Sequence, residues 1–279
     1  MERGEKEMNR IVETIHEAKE NRAYLQALKE LLYQFADDDF IVSYRGSEWL
    51  GLAPHIEADV AFSSITQNTM GHAVMYYRLL EELGEGDSDR LAHHRLPHER
   101  RNSVYLEKRN GSGTYLDEPH FDWALAVVRN YFYEVLKRVR LQAATKSSFV
   151  PLAQIAEKIL MEQTYHLAHW KMWVEQLQQS TEDAKSRIQE RIEEAWLEFG
   201  DALQLGPKGD QIVQHQLLVD EQAMYQQWMK EIEATLDVIP SRPLGKRLGD
   251  GRIGEYTADL EQAISVFAEV YETDREAVW

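Results

Sequence analysis

Apolar residues recur at helical spacing along almost the whole chain. Clusters of glycine, proline and small polar residues interrupt them at GLAP (51–54), GEGDSD (84–89), RNGSG (109–113), KSSFVP (146–151), LGPKGD (205–210) and IPSRPLGKRLGDG (239–251). The segments between these breaks run to about 20–35 residues, the length of bundle helices rather than of strands. The spacing predicts helices over 8–46, 54–83, 118–144, 151–179, 182–204 and 208–236, with a last one at 255–272. Strand-like alternation is confined to NSVYLEKRN (102–110), which reads as a candidate hairpin. No shift in composition marks a domain boundary, so the expectation is one all-α core.

Composition then narrows the chemistry. The chain has no cysteine, which excludes disulfides, thiolate zinc sites, iron–sulfur clusters and cysteine nucleophiles. Any metal must be held by His, Asp or Glu. A formal charge of −17 is the wrong sign for contact with phosphate backbones, so no nucleic-acid partner is expected. HHRLPHERRN (93–102) is a local basic exception, and its arginines and proline place His93, His94 and His98 on a surface segment. The N-terminus MERGEKEMNR lacks an apolar signal core, and no stretch approaches the roughly 20 apolar residues a bilayer requires. A cytoplasmic protein with no membrane contact is the expectation.

Polar residues interrupt the apolar stripes at telling places. In the 151–179 helix, Glu162, His166 and His169 fall in the same sector as Ile155, Ile159, Trp173 and Leu177. In the 54–83 helix, Asn68 and His72 lie on a face shared with Glu57, Ala61, Ser64, Met75 and Leu79. Asp39 breaks the stripe of Leu28, Leu32, Phe35 and Val42. Glu134 lies opposite the stripe of Leu125, Val128, Phe132 and Val139, on a second face with Trp123 and Val127, and a helix apolar on two faces belongs at the centre of a bundle.

Four helices each bringing a polar group at mid-length is the ferritin-like arrangement. Its di-iron form needs a Glu from each of two helices and Glu-x-x-His from each of the other two. Here Asn68 and Gly71 stand where Glu and His belong, with His72 one residue late. Glu162 is followed at the third position by Tyr165, with His166 one later. Asp39, Asn68, His72, Glu162 and His166 therefore read as a buried hydrogen-bond and ion-pair network rather than a metal centre, because a buried polar group must be paired.

Longer stretches carry a resemblance. SEWLGLAPHIEADVAF (47–62), HERRNSVYLEKRNGSG (98–113), ALAVVRNYFYEVL (124–136), AEKILMEQTYHLAHWKMWVEQL (156–177) and GKRLGDGRIGEY (245–256), with the last helix and Trp279, resemble the A/C subunit family of phenylacetyl-CoA epoxidase. The likeness runs from about residue 20 to the end, so residues 1–20 are expected to form an N-terminal extension and 21–279 a ferritin-like helical domain, a four-helix bundle with additional C-terminal helices.

The resemblance implies a multicomponent monooxygenase that epoxidises the aromatic ring in aerobic phenylacetate degradation. The chain looks closer to the structural C-type subunit than to the di-iron A-type. On that footing Asp39, Glu134 and Glu162 correspond to ligand positions, no residue is assigned as catalytic or metal-binding, and no cofactor is expected. The partners implied are the catalytic A subunit, other subunits of the complex, and a second copy of the chain. Seven tryptophans and thirteen tyrosines are ample for an aromatic-rich interface. The alternative from another class is a stand-alone ferritin-like di-iron oxygenase or oxidase, or an iron-binding protein. GKRLGDG (245–251) is expected to be a flexible loop, with contact to CoA phosphates or a partner as the second reading.

Overall fold

A computed structural model of the chain describes residues 11–114 and 117–274; Trp279 and the first ten residues of the expected extension lie outside them. In chain order the elements are α1 (Ile15–Glu20), α2 (Arg22–Ser47), α3 (Ile56–Glu82), α4 (Ser88–His93), β1 (Gly111–Thr114), β2 (Asp117–Phe121), α5 (Trp123–Ala144), α6 (Val150–Gln178), α7 (Glu182–Glu198), α8 (Gly209–Gln214), α9 (Glu221–Glu233), α10 (Ala258–Phe267) and α11 (Glu269–Thr273). The architecture is all-α, a bundle of α2, α3, α5 and α6 with further helices after it.

Capping chemistry explains most of the boundaries. The first expected helix is broken at Asn21, whose side-chain oxygen accepts from the amides of Ala23 and Tyr24 and so starts α2 afresh. Asp122, Thr181, Asp220 and Thr257 cap α5, α7, α9 and α10 in the same way. Pro151 sits in the first turn of α6, where a missing N–H costs nothing. The hairpin is not at 102–110. Val104–Glu107 is a short 3-10 turn, and the strands lie immediately after it, with Gly111 opposite Phe121 in an antiparallel pair. The stretch read as one helix over 208–236 is two, α8 and α9.

The four bundle helices are not equivalent. The middle of α2, residues 34–43, is buried on every side, and so is α5 from 124 to 137. These two are central, as the two apolar faces of α5 led us to expect. The central position follows from a second covering layer: α7 and α9 pack on α5, and α8 packs on α2. Phe132 of α5 meets Trp196, Phe199 and Trp228 there, and Trp228 donates its indole N–H to the Phe132 carbonyl at 3.1 Å. By contrast α3 and α6 each keep one face in solvent.

Residues 11–20 pack on the bundle. Val12 forms a bridge to Phe149, and Val12 and Ala18 are buried. Among the described residues no helix is long and apolar enough to cross a membrane.

Candidate functional site

The polar residues singled out from the sequence converge at mid-bundle, where α2, α3, α5 and α6 face one another. The residue that organises them is one the sequence reading missed. Lys137 of α5, four residues after Tyr133 and three after Glu134, is buried and places Nζ 2.6 Å from Asp39 Oδ1 and 3.0 Å from His72 Nδ1. Tyr133 donates to the same Asp39 oxygen at 2.6 Å. An ammonium has only donors, so His72 Nδ1 must be an unprotonated acceptor. The ring proton is therefore on Nε2, which donates to Glu162 Oε2 at 3.1 Å.

His166 sits on the other side of the same seam. The Asn68 amide nitrogen donates to His166 Nε2 at 3.4 Å, which directs Nδ1 toward Glu134 Oε1, 3.6 Å away. At that length the contact is an electrostatic one rather than a full hydrogen bond. Gln163 fastens Glu134 from α6, donating to its carboxylate at 3.0 Å and its backbone oxygen at 2.8 Å.

The electrostatics follow from this geometry. Burial, reinforced by the nearby Lys137 ammonium, drives His72 far below the ordinary histidine value and keeps it neutral. Burial pushes the Asp39 carboxyl up, and the attraction of Lys137 and the Tyr133 hydrogen bond only partly offset it. For Glu134 burial works in the same direction, but His166, Lys137 and Gln163 together outweigh it and lower its pKa.

Asp39, Asn68, His72, Glu134, Glu162 and His166 are thus all within one connected region, with one qualification. Glu162, expected inside on its wheel position, has a side chain 42% exposed and forms the solvent end of the seam. His169 is only partly buried and makes an edge contact with Trp170 at 4.9 Å.

The donor set does not fit a two-iron centre. Asn68 is neutral and engaged with His166, Gly71 offers no side chain, and Tyr165 is 78% exposed and directed away from the seam. Asp39 and His72 already hold an ammonium. Among the described residues no group of three or more His, Asp or Glu is arranged to hold a metal ion.

A second buried cluster lies one residue away along α2. Asp38 accepts from both terminal nitrogens of Arg252 at 3.0 and 2.8 Å, from Arg140 at 2.7 Å and from the Ser103 amide at 2.7 Å. Arg252 comes from the glycine-rich segment expected to be a flexible loop. That segment is instead anchored. Gly245 donates to the Trp196 carbonyl at 2.9 Å, Arg247 pairs with Glu198, and a Cβ on Gly251 would lie 1.7 Å from the Asn102 carbonyl oxygen. The segment at 93–102, expected on the surface, is exposed at Leu96, His98 and Glu99 but sends its arginines inward. Arg95 binds Asp37, and Arg100 is buried over the rings of Phe40 and Phe267. His93 stacks on Tyr271 at 4.0 Å.

With this geometry in hand, two comparisons with known proteins bear on the chain. A family model described as Phenylacetic acid catabolic protein matches residues 8–279. The C-type subunit of 1,2-phenylacetyl-CoA epoxidase from Escherichia coli (strain K12) is 27% identical over 211 residues, covering 74% of this chain and 81% of that protein.

Proposed function

The chain belongs to the phenylacetic acid catabolic protein family, and from that premise we propose that it serves phenylacetate degradation as a non-catalytic subunit, pairing with the di-iron catalytic subunit of an aromatic acyl-CoA epoxidase. The relative named as a C-type epoxidase subunit supports the complex. The mid-bundle seam, where Lys137 occupies Asp39 and His72, supports the absence of catalysis in this chain.

The observation that carries the pairing is a set of exposed apolar side chains on the solvent faces of the two outer helices, interrupted on α3 by Gln67. Ile56, Val60 and Val74 fall within about 40° of one another on the wheel of α3, and Met161, Tyr165 and Met172 do so on α6. Ile56 and Met161 are about as exposed as Tyr165, at 71% and 69%. Exposed apolar residues gathered on one side of a molecule mark a contact surface. The two helices are neighbours, joined by the His72–Glu162 and Asn68–His166 contacts.

A stable pair of this kind buries more than about 2,000 Å² and survives gel filtration. Co-expression with a catalytic subunit of the same family is expected to give one co-eluting species, and Tyr165→Asp combined with Ile56→Asp to split it. The isolated chain is expected to consume no oxygen when supplied with iron, reductant and phenylacetyl-CoA. Separate elution of the unsubstituted pair, or turnover by this chain alone, overturns the reading.

A further inference from the structure

His72 has the surroundings of a metal-bound histidine. In such sites one ring nitrogen faces the cation and the other donates its proton to a carboxylate, which fixes the tautomer and strengthens the ligand. Here Nδ1 faces a cation at 3.0 Å, and Nε2–H meets Glu162 at 3.1 Å. A buried aspartate contacts the same cation at 2.6 Å. The cation is the Lys137 ammonium.

Its placement is enforced from several sides. Nζ belongs to a side chain 4% exposed and its Asp39 partner to one 2% exposed, so neither can turn to water without breaking the core. Tyr133, one turn back on α5, holds the Asp39 oxygen in position from the same side. Lys137 also attracts the buried Glu134 carboxylate, so one positive charge serves two buried acids. A cavity of about 10 Å³ adjoins the cluster, bounded by Asp39, Lys137, Tyr76, Tyr133 and Arg140. That is room for about one water molecule.

We propose that the Lys137 ammonium is the built-in cation of this site, occupying the position between Asp39 and His72 that a divalent ion would take, and that it closes the bundle to metal. A metal ion and an ammonium cannot share that space, since like charges this close and this buried repel strongly. Removing the lysine side chain leaves an aspartate oxygen and an imidazole nitrogen of fixed tautomer facing the space it filled, with a water-sized cavity adjoining on the Asp39 side. Carboxylate and imidazole suit a borderline first-row ion such as cobalt(II). The site opened in this way would hold one divalent ion through Asp39 and His72, with water completing its shell. Nothing in this depends on whether the chain pairs with a catalytic partner.

Cobalt(II) is the probe, followed by equilibrium dialysis and by its visible absorption, on the full chain. Wild type is expected to take up no cobalt that is lost on His72→Ala. Lys137→Ala and Lys137→Gln, confirmed as folded by circular dichroism, are each expected to gain about one cobalt per chain. Adding His72→Ala should abolish that gain. His72-dependent cobalt in wild type overturns the proposal, because the site would then be open with the lysine present. So does a folded Lys137→Ala or Lys137→Gln protein that binds no more cobalt than wild type. If both variants are unfolded without metal, refolding by cobalt but not by magnesium supports the proposal, and failure to refold overturns it.

Discussion

Asp37, Asp38 and Asp39 are consecutive and all buried, yet their surroundings divide the molecule into two kinds of region. Asp37 and Asp38 meet arginines. Around Asp37, burial opposes ionisation, but Arg95 and Arg100 outweigh it and hold the carboxyl below the usual range. Around Asp38, the Arg252 fork and Arg140 join α2, α5 and the C-terminal segment, and both guanidiniums also donate to the Ala202 carbonyl at 2.6 and 3.0 Å. Asp39 instead meets a lysine, a tyrosine and, through the lysine, a neutral histidine. Burial wins there and its pKa rises.

The difference is one of geometry as much as charge. A guanidinium presents a planar fork that satisfies a carboxylate from two directions, whereas an ammonium is a point charge whose remaining donors need other acceptors. The arginine cluster therefore works as a tether between distant parts of the chain. The lysine seam hands its polarity on, through His72 to Glu162 at the solvent edge.

Removing Arg252 tests the tether most severely. Arg252→Met leaves Asp38 buried with half its cationic partners, and unfolding by denaturant should show a loss of about 3–5 kcal/mol. Hydrogen exchange should quicken across 245–256 at the same time. A loss below about 1 kcal/mol would mean that Arg140 alone suffices and that the fork is dispensable.

Lys137→Met is expected to cost less, about 1–3 kcal/mol, because Asp39 can escape its isolation by taking a proton. A carboxyl whose folded pKa lies above its unfolded value stabilises the native state at low pH and loses that stabilisation as pH rises through the interval between the two. The variant should therefore come closest to wild type in acid. A loss as large as that of Arg252→Met, and independent of pH, would erase the distinction between the two regions.

His72 gives the opposite slope. Its folded pKa lies far below its ordinary value of 6.5, so below pH 6.5 the unfolded chain takes up a proton that the native state refuses. Its contribution is complete above that pH and falls in acid by about 1.4 kcal/mol per pH unit. His93, pushed down to about 4 mainly by burial, adds to the same acid loss. Comparing wild type with His72→Gln at pH 7 and pH 5 isolates the His72 share, and identical acid sensitivity in the two would show that His72 is protonated in the fold.

The smallest effect is expected at the solvent end. Glu162→Gln keeps an acceptor for His72 Nε2 on a side chain 42% exposed, and should change thermal stability by less than about 1 kcal/mol. A larger change would mean that the seam needs a full negative charge at its mouth.

The helices were legible because a buried stripe at 3.6-residue spacing repeats over many turns, and one stripe suffices to call a helix. Asn21 and the break at 215–220 were harder, since a cap or a short loop overrides a pattern that runs on through it. Asp39, Asn68, His72, Glu134 and His166 could be nominated for the same reason as the helices: each interrupts apolar residues. Glu162 was placed too deep, because a wheel gives direction but not the depth of the neighbour that covers it.

Lys137 was passed over because a lysine on a helix ordinarily reaches for solvent along its own stem, and the two apolar faces that mark α5 as central do not say what covers the sector of Lys137. The run of three aspartates was legible only at Asp39 for a related reason. Neighbouring residues on a helix point about 100° apart, so no single buried face can hold all three. The sequence by itself determined the all-α class, the helix faces and the identity of most mid-bundle donors, all of which depend on residues a few positions apart. Only the tertiary structure decided that α2 is buried all round, that the cover over α5 extends to Lys137, that Arg252 reaches Asp38 across more than two hundred residues, and that the charge partner of Asp39 is an ammonium. Those choices rest on desolvation and on long-range pairing, which exist only once distant segments have met.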